Sequence, residues 1–141
     1  RIIIFYFLHM PDNRQPVDEV VFSAVATTGF STEVDVSNQQ NIQVCVAVTG
    51  ACTVKFAGSI VDKGSVDFAS AQAPSNMWDY VAAYDLEDPS TIITGDDGVT
   101  FSGADCRQFI INVAGLRSFA VQVSAYTAGA VTARVFACNN Q

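Results

Sequence analysis

The sequence predicts a single all-β domain, an antiparallel β-sandwich of jelly-roll-like or immunoglobulin-like type. Three observations predict it. In the last third, residues 98–137, apolar residues alternate strand after strand: Phe119, Val121 and Val123 share one face, as do Val131, Ala133 and Val135. A period of two with one apolar face marks a strand laid on a core. Turn-forming pairs such as Thr28-Gly29, Thr49-Gly50 and Asp88-Pro89 punctuate the short apolar runs, at the spacing of a sandwich or barrel. No window sustains a helical period, a short turn at 66–72 being the one helical candidate. At 141 residues, such a chain buries roughly two thirds of its unfolded surface in one core.

Taken in order, residues 1–17 read as an N-terminal arm and residues 18–141 as the sandwich. The opening Arg1-Ile2-Ile3-Ile4-Phe5-Tyr6-Phe7-Leu8-His9 matches nothing after it in composition. It is much shorter than the roughly 20 apolar residues of a membrane-spanning helix, and it lacks the small-residue cleavage site of a secretory leader. It is either a strand or arm that pairs with the sheet or a neighbour, or sequence upstream of a natural start at Met10. Its Ile, Phe, Tyr and Leu residues, all available from A/T-rich codons such as untranslated leader DNA often carries, favour the second. Met10 to Val17 is polar, carries Pro11 and Pro16, and reads as an extended linker. Strands are expected over 19–26, 31–37, 41–48, 52–60, 65–70, 77–85, 90–94, 98–102, 107–113, 117–125 and 130–138. The separating turns include Ser37-Asn38, Lys63-Gly64, Pro74-Ser75-Asn76 and Asp96-Asp97-Gly98.

Half the residues are hydrophobic and only 15% are charged. That balance predicts burial of surface against copies of the chain or against a partner. The net charge is −7, and the seven Lys and Arg residues form no basic run. Phosphate neutralisation needs clustered cations, so nucleic acid is not an expected partner. No membrane partner is expected either.

The four cysteines are Cys45, Cys52, Cys106 and Cys138. Ile42, Val44 and Val46 share one strand face, and Cys52, Val54 and Phe56 share another. A three-residue loop, Val48-Thr49-Gly50, with Gly50 left-handed, brings those faces together. Cys52 then points inward opposite Val46 while Cys45 points out, which forbids a bridge between them. Cys106 to Cys138 is the remaining disulfide candidate, against free thiols in a protein made in a reducing cytoplasm. No CxxC spacing occurs and His9 is the only histidine, so the spacing carries no zinc signal and no cofactor is expected.

That single histidine also bears on catalysis, because Ser-His-Asp and Cys-His chemistry both need an imidazole base. Carboxylate pairs could still serve a glycosidase, and Asp85, Glu87, Asp88, Asp96 and Asp97 could supply oxygen ligands to calcium. The same acidic stretch, 85–97, is also ordinary turn sequence, because Asp side chains bond to nearby backbone amides. The turn reading is preferred, and no enzymatic activity is expected. Gly95, Gly98, Gly103 and Gly115 precede no helix and read as turn glycines rather than a phosphate loop.

Met77 to Tyr84 holds the one tryptophan. If the run is a single strand, Trp78, Tyr80 and Tyr84 share a face and form the candidate interaction surface. Either they are a core anchor and subunit contact, which is preferred, or they are an aromatic platform for sugar rings.

The order of elements from the tryptophan strand onward also carries a resemblance. Asp88-Pro89-Ser90-Thr91-Ile92-Ile93-Thr94-Gly95-Asp96-Asp97-Gly98 leads through Ile111-Asn112-Val113 and Gly115-Leu116-Arg117 to Val123-Ser124-Ala125-Tyr126-Thr127-Ala128-Gly129. Over about residues 60–140 this resembles the small β-sandwich virion proteins of tailed bacteriophages, of the capsid decoration, head-fibre or tail-associated kind. The resemblance implies a structural protein of the virion, made in the host cytoplasm. Its implied action is a capsid decoration or cement role through contacts with itself, as a trimer for example, and with the major capsid protein. It transfers no functional residue, because such proteins act through surfaces. The alternative is a carbohydrate-binding β-sandwich that attaches a particle or enzyme to surface glycans.

Overall fold

A computed structural model describes residues 16–61, 71–72 and 77–137. The arm through residue 15 with His9 and Met10, the strand expected over 65–70, the turns at 63–64 and 74–76, and Cys138 lie outside the described residues. The described strands are β1 (Val17–Val25), β2 (Gly29–Phe30), β3 (Val34–Asp35), β4 (Asn41–Val48), β5 (Cys52–Ser59), β6 (Trp78–Tyr80), β7 (Ala83–Asp85), β8 (Ile92–Ile93), β9 (Val99–Phe101), β10 (Asp105–Asn112), β11 (Ser118–Tyr126) and β12 (Val131–Ala137). The first sheet runs β1-β12-β4-β10-β7-β8. The second runs β2-β11-β5-β6, with β3 also on β11 and β9 also on β5.

The antiparallel pairs are nested. β1 pairs with β12, β2 and β3 with β11, β4 with β10, and β5 with β9. Such a ribbon, folded over itself into two sheets, is the jelly roll rather than the immunoglobulin arrangement. β6, β7 and β8 are inserted between β5 and β9, and the last two widen the first sheet.

This topology corrects the hairpin expected between β4 and β5. The two strands belong to different sheets, and residues 49–51 arch over the end of the sandwich between them. Cys52 is buried in the core as expected, but its strand partners are Phe101 on β9 and Tyr126 on β11 instead of Val46. Gly50 is not left-handed. It is needed because a side chain there would meet the Ala128 carbonyl oxygen at 2.4 Å. The neighbouring arch is laced to it by Thr49 N–H to Ala130 O at 3.0 Å and by Ala130 N–H to Thr49 Oγ1 at 2.7 Å.

Alternation places the core where the sequence predicted it. Phe119, Val121, Val123, Val131, Ala133 and Val135 are all buried, with Val44, Val46, Val54, Ile42 and Ile111 from the facing strands. Each of the Val, Ile and Phe side chains contributes about 1.5–3 kcal/mol through burial. At the centre, the ring of Phe56 lies 5.5 Å from that of Phe109 and 6.2 Å from that of Phe119, centroid to centroid. Several strand limits differ from expectation. β1 begins at Val17, the last residue assigned to the arm. The strand expected over 31–37 is reduced to the short β3, with β2 lying before it at the expected Thr28-Gly29 turn, and the strand expected over 90–94 is reduced to β8.

Candidate functional site

The strand expected over 77–85 is divided, and with it the aromatic trio. β6 pairs with β5 in the second sheet, whereas β7 pairs with β10 and β8 in the first. Between them the chain crosses the edge of the sandwich, held by Val81 N–H to Phe56 O at 2.9 Å. Trp78 and Tyr80 therefore do not share a face with Tyr84.

Trp78 is 2% exposed, but it is not an anchor between the sheets. It sits opposite Ser59, and Tyr80 opposite Ala57, positions that point away from the main core. There it forms a second cluster with Ala57, Ala71 and Ala120, flanked by Phe30 and Tyr80. The Tyr80 hydroxyl donates to Gln122 Oε1 at 2.7 Å, and Lys55 Nζ stands 4.8 Å from the Tyr80 ring centroid. Burial pushes the Tyr80 hydroxyl above its ordinary value, with the Gln122 bond opposing. Gln72, whose N–H donates to Trp78 O, also donates from Nε2 to Asp79 and Asp96. The outer face of the second sheet is thus capped here by the chain itself.

The outer face of the first sheet is different. Register aligns Asp18, Phe136, Gln43, Ile110, Tyr84 and Ile92 as one rung across all six strands of that sheet. At ordinary strand spacing the rung is about 24 Å long. Phe136 is 45% exposed, Tyr84 42% and Ile92 57%. Asn41, Gln43, Ile110 and Phe136 border a shallow depression of about 270 Å³. On the next rung, Val20, also exposed, is followed by Arg134, Cys45 and Gln108. An apolar row with aromatic members, interrupted by the Gln43 amide and ended by a carboxylate, suits contact with another macromolecule better than it suits chemistry on a small molecule.

Of the three residues singled out from sequence, only Tyr84 belongs to this row. The others in it were missed, yet a signal was present. Phe136 and Ile110 are apolar residues on the outward beat of strands whose inward beat is already filled.

The acidic stretch is occupied with local bonds. Asp85 accepts from Glu87 N–H at 2.9 Å and is paired with Arg107. Asp88 accepts from the hydroxyls of Ser90 and Thr91 at 2.6 and 2.7 Å, which together hold its carboxyl below the usual carboxylate range. Asp97 accepts from Thr94 Oγ1 at 2.7 Å. Apart from the Arg107 pair, which joins β10 to β7, these are the bonds of turns. Among the described residues no three His, Cys, Asp or Glu side chains are grouped to hold a metal ion.

No family model matches the chain. No curated protein matches it in sequence. Among solved structures, it is similar to the SPBc2 prophage-derived protein YomS, with a TM-score of 0.63 and 10% identity over 86% of this chain and 92% of that one. At that identity the likeness is one of fold: this chain shares a β-sandwich with a protein of prophage origin.

Proposed function

We propose that this chain is a structural protein of a phage virion, made in the host cytoplasm, that decorates or cements a capsid through protein contacts and without catalysis. The observation that carries this reading is the outward rung of exposed Phe136, Tyr84 and Ile92 with half-buried Ile110 between them, on the open face of the first sheet. Exposed apolar rows of this extent gain free energy when another surface covers them. Support comes from the prophage origin of a protein with a similar fold, and from the scarcity of charge, 15% of residues. The partners under this reading are further copies of the chain and the major capsid protein. The carbohydrate-binding alternative loses its proposed platform, since Trp78 is buried and offers no ring face to a sugar.

The test is binding of the purified protein to undecorated phage shells, with its mass in solution measured in parallel. Replacing Phe136, Tyr84 and Ile92 together by serine should abolish shell binding while leaving the unfolding midpoint within a few degrees. Unchanged shell binding by that variant, or turnover of a substrate by the parent protein, would overturn the reading.

A further inference from the structure

The topology brings together two cysteines that are 61 residues apart in sequence. Cys45 on β4 and Cys106 on β10 both point to the outer face of the first sheet, and their sulfurs are 3.7 Å apart. Cys45 is half-buried and Cys106 exposed. We propose that they form a two-thiolate clamp for a thiophilic divalent ion of the zinc class, whose remaining coordination positions are filled by water.

Two geometric facts separate a clamp from a disulfide. Cys45 stands opposite Gln108, and Cys106 opposite Ala47, so the cysteines are diagonal neighbours rather than a facing pair. Diagonal positions on adjacent strands have Cα atoms about 7–8 Å apart, beyond the roughly 6.8 Å that a disulfide spans without backbone movement. Two thiolates on one tetrahedral zinc, each at about 2.3 Å from it, stand about 3.8 Å from each other. The observed separation matches the second requirement.

The surroundings leave access to the sulfurs. Ala47, opposite Cys106, is small, and Arg134, opposite Cys45, has its guanidinium held by Asp18 at 2.7 and 2.8 Å. No CxxC spacing announces this site, because its ligands come from separate strands. On binding, the six-coordinate hydrated ion gives up four waters and keeps two, gaining two metal–sulfur bonds, while two S–H bonds release two protons to the solvent. Affinity therefore falls as pH falls, by about 100-fold per unit where both thiols are protonated in the free protein.

Zinc titration by calorimetry tests the clamp, using the reduced full chain with a phosphine as reductant and two buffers of different ionisation heat. One equivalent should bind with close to two protons released. Cys45→Ser and Cys106→Ser should each lose this binding while keeping the parent far-ultraviolet dichroism, and Cys138→Ser should keep it. No saturable binding, equal loss in Cys138→Ser, or retention in either clamp variant overturns the proposal. So does a Cys45–Cys106 disulfide formed readily from oxidised glutathione, which would show the two backbones to be close enough for a bridge.

Discussion

Arg107 on β10 extends its guanidinium to the carboxylate of Asp85 on β7, and the pair lies on the inner side of the first sheet. Asp85 faces Phe109 in register, and its side chain is only 3% exposed, against 30% for Arg107. Asp85 also accepts the Glu87 N–H, so one carboxylate fixes both the β7–β10 junction and the turn that follows. Removing Arg107 leaves a buried charge without its partner. Arg107→Ala should cost about 3–5 kcal/mol of stability in chemical denaturation. Adding Asp85→Asn to that variant should recover part of the loss, because the uncompensated charge is gone.

The two arches at one end of the sandwich touch backbone to backbone. Gly129 has a φ of +86°, and a side chain there would meet Gly50 N at 2.4 Å. Gly129→Ala should destabilise by about 2 kcal/mol or more, from the left-handed backbone and the clash together. Gly103 has open space around it, and Gly103→Ala should stay within about 0.5 kcal/mol of the parent. Thermal unfolding of the two variants side by side is the check.

Phe56 joins the two halves of the core through its contacts with Phe109 and Phe119. It is 1% exposed. Phe56→Ala should cost about 3–5 kcal/mol. The measurement is the urea midpoint, with an unchanged slope if the unfolded state is unaffected.

Asp18 and Arg134 tie β1 to β12 with two bonds, at 2.7 and 2.8 Å. The hydrogen bond from Arg134 holds the Asp18 carboxyl below its ordinary value. A carboxylate depressed in the folded state stabilises above the unfolded pKa, about 3.9, and that contribution is lost as pH falls through the lower folded value. Asp18→Asn should therefore flatten the acid limb of the stability curve and leave its difference from the parent smallest at the lowest pH. The pair is exposed, so the effect should be small and should shrink further in high salt.

Much of the fold was legible because alternation is a local property. The inward beats of β4, β5, β11 and β12 can be counted along the chain, and Phe119, Val121, Val123, Val131, Ala133 and Val135 are buried as that count requires. A strand's period states which side chains share a face. It does not state which sheet the strand joins. That is why the expected β4–β5 hairpin became an arch between sheets, and why Trp78 and Tyr84 parted company.

The sequence by itself determined the all-β class, most strand positions, the identity of many core residues and the absence of a basic run. Tertiary structure alone decided the nested pairing that makes a jelly roll, the capping of the second sheet around Trp78, and the open row from Phe136 to Ile92. It also decided the meeting of Cys45 with Cys106. The physical reason is the range of the interactions: turn chemistry and side-chain alternation act over a few residues. Sheet register joins strands that are distant in sequence, and it is settled only when the whole core closes.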